Sequence, residues 1–176
     1  MWLSKHKIAV FIVGLAAFIA LLLLGVQTQQ FGPQTQPTVR QFPTQQLSTL
    51  IKQQPATAQD LFQQEYQIVN VWASWCGICR TEHQFLHQLA EQGVPIVGLN
   101  YRDQRPQALR YLADLGNPYQ TVIYDPKGSL SIDLGVVGTP ETYLVNRNGS
   151  IVYKYSGLLD DKAWKAFFAH YFASVG

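Results

Sequence analysis

The sequence predicts an α/β domain, a mixed central sheet flanked by helices, with an apolar helix at its N-terminus. Three observations lead to this prediction. An uncharged apolar run occupies residues 8–26, strand and helix patterns alternate from about residue 67, and Asn148-Gly149 joins two late strand patterns. Hydrophobic residues make up 47% of the 176-residue chain, which suffices for a packed core.

The apolar run predicts a transmembrane anchor. Ile8 to Val26 has no charge, and its length fits the roughly 20 residues that cross a bilayer as a helix. Lys5 and Lys7 precede the run, and no basic residue follows it before Arg40. The positive-inside rule therefore puts residues 1–7 in the cytoplasm and the domain across the membrane. A cleaved signal peptide is the alternative, but the run exceeds a signal core of about 7–15 residues and lacks a small-x-small cleavage site.

A glutamine-rich segment follows the anchor. Residues 27–67 contain 14 Gln among 41 residues. Residues 27–38 include few apolar side chains, so we predict a flexible linker there. Apolar residues return from Val39, and we assign residues 39–176 to the folded domain, whose first part packs as short irregular elements.

Five segments of the domain have strand character and three have helical character. The predicted strands are 67–72, 96–101, 120–124, 142–146 and 151–155. The predicted helices run from the cysteine pair to Gly93, from 106 to 115, and from Asp160 or Asp161 to 172. In the second helix we expect Leu109, Leu112 and Leu115 to face inward. The Asn-Gly pair predicts a hairpin, and this order of elements is the thioredoxin arrangement.

Charge and cysteine content exclude several classes of protein. Without Lys5 and Lys7, 11 of the 13 basic residues remain against 11 acidic residues, which gives no support to nucleic-acid binding. Both cysteines, Cys76 and Cys79, lie in one C-x-x-C, whereas a disulfide-held secreted domain needs more cysteines. A zinc site usually needs a second ligand pair. We therefore interpret the pair as a redox motif.

The cysteine pair falls where a strand gives way to a helix. A helix N-terminus presents free amide N–H groups and the positive end of the dipole, and both stabilise a thiolate. We predict that Cys76 is exposed and attacks a substrate disulfide, and that the more buried Cys79 resolves the mixed disulfide. A metal site is the alternative, because Cys79, His83 and His87 share one helix face. Cys76 precedes that helix, which favours the redox interpretation.

Two further elements complete the predicted site. Pro140 lies just before a strand, so we predict a cis peptide bond after Thr139, whose backbone then pairs with an extended substrate; an ordinary trans turn is the alternative. Glu82 and Glu141 are candidate bases, because resolution requires removal of a proton from a buried thiol. Each is otherwise a surface charge.

Several separated motifs resemble one family, CcmG, also called DsbE, the periplasmic thioredoxin-like proteins of bacterial cytochrome c maturation. The motifs that carry the resemblance are Asn70-Val71-Trp72-Ala73-x-Trp75-Cys76-x-x-Cys79-Arg80-x-Glu82-His83, Gly98-Leu99-Asn100-Tyr101-Arg102-Asp103, Leu115-Gly116-Asn117-Pro118-Tyr119 and Asp133-Leu134-Gly135-Val136-x-Gly138-x-Pro140-Glu141-Thr142. The resemblance covers roughly residues 68–159 and the N-terminal anchor.

The resemblance implies a single-pass inner-membrane protein whose periplasmic dithiol reduces the C-x-x-C-H disulfide of apocytochrome c or of a partner thiol protein. Electrons are then expected from a membrane thiol transporter, and no small-molecule cofactor or metal is implied. By family position, Cys76, Cys79, Glu82, Pro140 and Glu141 are catalytic. The expected substrate contacts are Trp75, Thr139 and Tyr101, and by family position Arg102 and Asp103 line the substrate groove with Tyr101. The carboxylates are expected to raise the thiol pKa values, the sign of a reductant.

Some features depart from the family, and other functions stay open. Gly77-Ile78 stands between the cysteines where the family commonly has a pair such as Pro-Thr, and the segment 27–67 matches poorly. The alternatives are a general periplasmic thioredoxin-like reductase, a disulfide-donating oxidase, and a copper or zinc carrier that uses Cys76, Cys79 and His83.

Overall fold

A computed structural model describes residues 5–28, 35–36, 40–43 and 46–172. The chain divides into two compact units, Met1–Gly32 and Pro33–Gly176. The first unit contains helix α1, Lys5–Thr28, which spans the predicted anchor and extends two residues past Val26. The described side chains of α1 are exposed, Phe11 at 71% and Phe18 at 59%. Among the described residues, no helix qualifies as both long and apolar enough to cross a bilayer, and the anchor stays a prediction.

The second unit is built on a mixed sheet, as the sequence predicts. Its strands are β1 Thr35–Gln36, β2 Arg40–Gln41, β5 Tyr66–Trp72, β6 Ile96–Tyr101, β7 Thr121–Asp125, β8 Glu141–Asn146 and β9 Ser150–Ser156. The strand order is β1-β9-β8-β5-β6-β7, and β2 also pairs with β9. Strands β5, β6 and β7 are parallel, whereas β8 and β9 run antiparallel to their neighbours. Strands β3, Leu47–Ser48, and β4, Pro55–Ala56, form a separate small sheet.

The predicted linker over 27–38 is partly wrong. Gln27 and Thr28 belong to α1, and Thr35–Gln36 form β1, which pairs with Tyr155 and Lys154 of β9. The free edge of β9 offers backbone groups that an extended segment satisfies. The remainder of the predicted linker, 29–34 and 37–38, lies outside the described residues.

Five helices and one 3₁₀ turn accompany the sheet in the second unit's described residues. They are α2 Ala58–Leu61, α3 Gly77–Glu91, α4 Arg105–Leu115, α5 Ser129–Leu134, α6 Asp161–Phe167 and the 3₁₀ turn Ala169–Tyr171. The last helix therefore ends earlier than predicted, because the backbone leaves helical geometry at Phe168, where φ is −124°. In α4 the prediction that Leu109 faces inward is wrong, since it is 36% exposed. The buried face passes through Ala108, Tyr111 and Leu112, one position away on the helical turn.

Two cores cover the two faces of the sheet. Residues 68 and 72 of β5 face a core to which α3, α4 and α6 contribute, for example through Leu86 and Trp164. Residues 69 and 71 face a second core, to which α2 and α5 contribute. Because side chains alternate along a strand, β5 is buried on both faces. The turn that follows Trp72 and leads to the cysteines lies at one end of the sheet.

Candidate redox site

The cysteine pair begins helix α3. Cys76 is the N-cap residue, and its Sγ accepts a hydrogen bond from the Cys79 amide at 3.1 Å. The two residues form a disulfide, with their Cα atoms 5.3 Å apart. On reduction, the thiolate of Cys76 therefore lies at the positive end of a 15-residue helix.

Both cysteines are buried in the disulfide form. Cys76 is 6% exposed and Cys79 is 2% exposed. The prediction of an exposed Cys76 is therefore wrong for the oxidised protein, because the disulfide turns its sulfur onto the first turn of α3. The flanking Trp75 and Ile78 are exposed, at 59% and 56%, so apolar surface borders the pair.

Glu82 is a buried carboxyl on the same helix, three residues after Cys79. It is 1% exposed. Its Oε1 accepts from Asn70 Nδ2 at 2.8 Å, and its Oε2 accepts from the Leu159 amide at 2.8 Å. Burial raises the pKa of Glu82 from 4.5 to about 7, against the opposing effect of these two hydrogen bonds. The carboxyl therefore exchanges a proton near neutral pH.

Asn70 of β5 ties Glu82 to the rest of the core. Its Oδ1 accepts from the Tyr119 hydroxyl at 3.0 Å, and its Nδ2 also donates to Thr142 Oγ1 at 3.4 Å. Asn70 is fully buried, and burial raises the pKa of Tyr119 well above 10, so that hydroxyl stays protonated at neutral pH. Buried polar groups joined in this way hold one geometry, which fixes Glu82 in place.

The Thr139–Pro140 peptide bond is cis, as the sequence predicts. Val71 of β5 pairs with Glu141 of β8, so the register continues to Pro140 opposite Trp72, at the end of β5 that leads to the cysteines. The Pro140 carbonyl accepts from the Gly157 amide at 3.0 Å. No backbone hydrogen bond joins Thr139 to another described residue, and its pairing with a substrate stays a prediction.

Comparison with known proteins assigns this site to a family. The Redoxin family model matches residues 37–164. DsbE of Haemophilus influenzae is 49% identical over 123 residues, which cover 69% of this chain and 67% of that protein. A protein of Pasteurella multocida described as a probable thiol:disulfide interchange protein DsbE-2 is 44% identical over 166 residues, 94% and 87% of the two chains. The chain belongs to the DsbE family of thiol:disulfide interchange proteins.

A solved structure agrees with this assignment. The thio-disulfide isomerase of Thermus thermophilus superposes with a TM-score of 0.62 at 26% identity, over 80% of this DsbE-family chain and 97% of that chain. The protein is thus a thiol:disulfide oxidoreductase with a thioredoxin-like fold, and Cys76 and Cys79 are its only cysteines.

The structure does not bring Glu141 together with Glu82. Glu141 pairs with Val71 in register and therefore lies on the other face of the sheet from Thr142, which borders the Glu82 network. Glu141 is 1% exposed. The reason for the difference is strand alternation. Among the described residues, no contact supports proton transfer by Glu141 at the cysteines.

Glu141 instead anchors the loop before Pro140. Its Oε1 accepts from the Val137 amide at 3.1 Å, and its Oε2 pairs with Lys154 Nζ at 3.1 Å. Lys154 also donates to the Gly135 carbonyl at 2.7 Å. Both members of this ion pair therefore hold the loop, Glu141 through the Val137 amide and Lys154 through the Gly135 carbonyl. The Val137 side chain itself is 86% exposed.

The predicted substrate contacts lie at the ends of adjacent strands. Tyr101 ends β6 and is half-buried, with the Arg102 guanidinium 5.3 Å from its ring centre. The indole of Trp75 donates to the Arg102 carbonyl at 3.1 Å. Since Trp72 of β5 pairs with Asn100 of β6, the structure brings Trp75 and Tyr101 to one edge of the sheet.

Sequence reasoning named Asp103 in a family motif but missed its contact with the cysteine turn, and it missed Lys154 altogether. Asp103 is 7% exposed and binds Ser74 in the turn before Cys76. One signal was available for it, because the carboxyl ends of parallel strands converge on one edge. No comparable signal marks Lys154, a charged residue in a strand.

The two histidines of α3 face the end of α4. Nε2 of His83 donates to the Gly116 carbonyl at 3.0 Å, and Nε2 of His87 donates to the Leu115 carbonyl at 3.1 Å. Burial lowers the pKa of His83, which favours the neutral ring. The part of the chain that the structure describes contains no group of three or more His, Cys, Asp or Glu side chains placed to hold a metal ion.

Proposed function

We propose that this protein is a membrane-anchored periplasmic dithiol reductase that reduces the C-x-x-C-H disulfide of apocytochrome c, or the disulfide of its partner thiol protein. The observation that carries the proposal is Glu82, a buried carboxyl one helical turn after Cys79 with a pKa of about 7. The resemblance of the motifs to CcmG supports the choice of substrate.

The proposed reaction has two steps. The Cys76 thiolate attacks one sulfur of the substrate disulfide and forms a mixed disulfide, and the other substrate sulfur leaves as a thiolate. Glu82 then accepts the proton of the Cys79 thiol, and the Cys79 thiolate attacks Cys76 and releases the second substrate thiolate. The protein ends as the disulfide seen here, and the substrate has gained two electrons.

Glu82 also favours the direction of reduction. A negative charge near a thiol disfavours the thiolate, and a dithiol whose thiolate is poorly stabilised gives up electrons readily. The helix N-terminus acts in the opposite sense on Cys76. A buried carboxylate with neutral hydrogen-bond donors and no described cation beside it is uncommon, because burying a charge costs several kcal/mol per ion. The position of Glu82 near the cysteines suggests that the carboxylate is kept there for the redox reaction.

The anchor forms part of the proposal. Helix α1 spans 24 residues, and its described side chains are apolar from Val10 to Leu21 and exposed on the isolated chain. Lipid is the environment that suits such a surface. The anchor keeps the domain at the membrane surface, and we expect the domain to receive its electrons there from a membrane thiol transporter.

The redox state of the cysteines in intact cells tests the direction. Acid quenching followed by thiol alkylation separates the reduced and oxidised forms by gel mobility. We expect reduced cysteines that become oxidised when the membrane thiol transporter is deleted. Oxidised cysteines in both strains would overturn the proposed reductase and favour an oxidase.

A trapping experiment tests the substrate. The Cys79→Ser variant cannot resolve a mixed disulfide, so it retains peptides that carry a disulfide across C-x-x-C. We expect it to capture a C-x-x-C-H peptide at least tenfold faster than a matched peptide with Ala in place of His. Equal rates would indicate a general reductase, and the Cys76→Ser variant is the control that captures neither peptide.

A further inference from the structure

A second loop holds the turn that presents Cys76. Residues 73–76 form this turn, in which the Cys76 amide donates to the Ala73 carbonyl at 3.1 Å. Its two central residues are Ser74 and Trp75. Both are bound by residues 102–103, in the loop between β6 and α4.

Asp103 makes the closest of these contacts. Its Oδ2 accepts from the Ser74 amide at 2.6 Å, and its Oδ1 accepts from the Ser74 hydroxyl at 2.7 Å. Asn100 Nδ2 and the Gln104 amide donate to the same carboxyl at 2.9 and 2.8 Å. Four donors on two oxygens are the pattern of an acceptor-only, ionised carboxylate, and Asp103 is 7% exposed.

The loop that carries Asp103 is itself tightly held. Arg102 has a left-handed backbone, φ +45°, which is uncommon for a residue other than glycine. Its amide donates to the Asp125 carbonyl at 3.0 Å, while its carbonyl accepts from the Trp75 indole at 3.1 Å. Gly128 leaves room for its side chain, since a Cβ there would lie 2.6 Å from Arg102 Nε. A backbone outlier held from several sides points to a functional constraint.

We propose that Asp103 is a positioning residue of the redox site, whose carboxylate fixes the Ser74 turn and places a fixed negative charge beside Cys76. The turn sets the position of the Cys76 sulfur at the start of α3. The charge disfavours the Cys76 thiolate and so adds to the reducing character of the dithiol. This inference deepens the proposed function and rests on it for its biological meaning.

The chain offers variants that separate the charge from the contact. Asp103→Asn removes the charge and keeps the shape, although its amide group meets one of the donors. Asp103→Ala removes the charge without adding a donor, and it serves if Asp103→Asn does not fold. Ser74→Ala is the matched control, because it removes one hydrogen bond and leaves both the carboxylate and the Ser74 amide contact.

Two measurements on the full-length protein in mild detergent test the proposal. Thiolate absorbance against pH gives the pKa of Cys76 in the reduced protein, and equilibration with glutathione gives the equilibrium constant of the Cys76–Cys79 couple. In both Asp103 variants we expect a thiolate-to-thiol ratio at least threefold higher at fixed pH. We also expect an equilibrium constant at least threefold more oxidising, which is about 14 mV at about 30 mV per decade.

The outcomes separate this inference from the proposed function. Unchanged values in both Asp103 variants would overturn the inference, and so would a Ser74→Ala variant that shifts as far as they do, because contact alone would then explain the effect. Shifts in the Asp103 variants alone support it. The proposed reductase is judged by the wild-type redox state in cells, so either idea can fail while the other stands.

Discussion

Replacing Glu82 with Gln tests whether the buried carboxyl has the physical character that the structure gives it. The substitution keeps the shape of the side chain and removes its titration. Asn70 Nδ2 and the Leu159 amide both donate to Glu82, so the new amide group meets one donor. That mismatch costs about 1–3 kcal/mol, and the cost is the same at every pH.

The magnitude of the pH-dependent part follows from the pKa. The pKa of Glu82 is about 7 in the folded protein against an ordinary 4.5, so the folded state binds a proton more tightly than the unfolded state. The stability that the protonated carboxyl contributes is fully present below pH 4.5 and is lost as the pH rises through 7. At about 1.4 kcal/mol per pH unit, the total loss is about 3 kcal/mol.

The assay is urea unfolding of the oxidised full-length protein in mild detergent at several pH values from 4 to 8. The free energy of unfolding of wild type minus that of Glu82→Gln is expected to fall by about 3 kcal/mol across this range, at constant m-value. Glu91→Gln is the control, since Glu91 is an exposed carboxylate near the end of the same helix. A difference that stays flat with pH for Glu82→Gln would refute the reasoning.

Three further predictions concern the rate of resolution and the stability of the protein. In Glu82→Gln, resolution of the mixed disulfide is expected to slow about 100-fold and to lose its rise near pH 7, as followed by rapid acid quench. Lys154→Met leaves the buried Glu141 without its cation and is expected to lower the unfolding free energy by about 3 kcal/mol, measured by urea unfolding. Gly98→Ala puts a Cβ 2.9 Å from Trp72 Nε1 and is expected to cost about 1–3 kcal/mol by the same measurement. The matched controls are Lys165→Met, in an exposed ion pair with Asp161, and Gly77→Ala, whose Cβ meets open space; each is expected to change stability by less than about 1 kcal/mol.

The sequence located the elements that local patterns specify. Strand β6 has the predicted bounds, 96–101, and the cysteine pair begins a helix as expected. These features depend on residues close together in the chain, namely β-branched runs and an apolar helical face. Helix α5 was missed because it has six residues and starts after Gly128 without a side-chain cap, so it lacks the usual signals of a helix start.

The face on which Glu141 lies was beyond sequence reasoning for a different reason. In a half-buried strand, alternation of polar and apolar residues shows which side chains point inward. Strand β8 is buried on both faces for its first five residues, so the pattern carries no such signal. The contact between Asp103 and Ser74 spans 29 residues, and only the parallel pairing of β5 and β6 brings the two together.

The separation of the two buried glutamates explains why one is suited to proton transfer and the other is not. Both are 1% exposed, so burial alone does not distinguish them. Glu141 has Lys154 at 3.1 Å, and this ion pair offsets part of the cost of burying two charges and ties both residues to the loop before Pro140. Among the described residues, Glu82 receives hydrogen bonds only from neutral donors, which offset part of the cost of burial and leave its pKa at about 7. A carboxyl that gains and loses a proton at neutral pH is what resolution by Cys79 requires, whereas the described contacts of Glu141 are with the loop and its neighbouring strands, away from the cysteines.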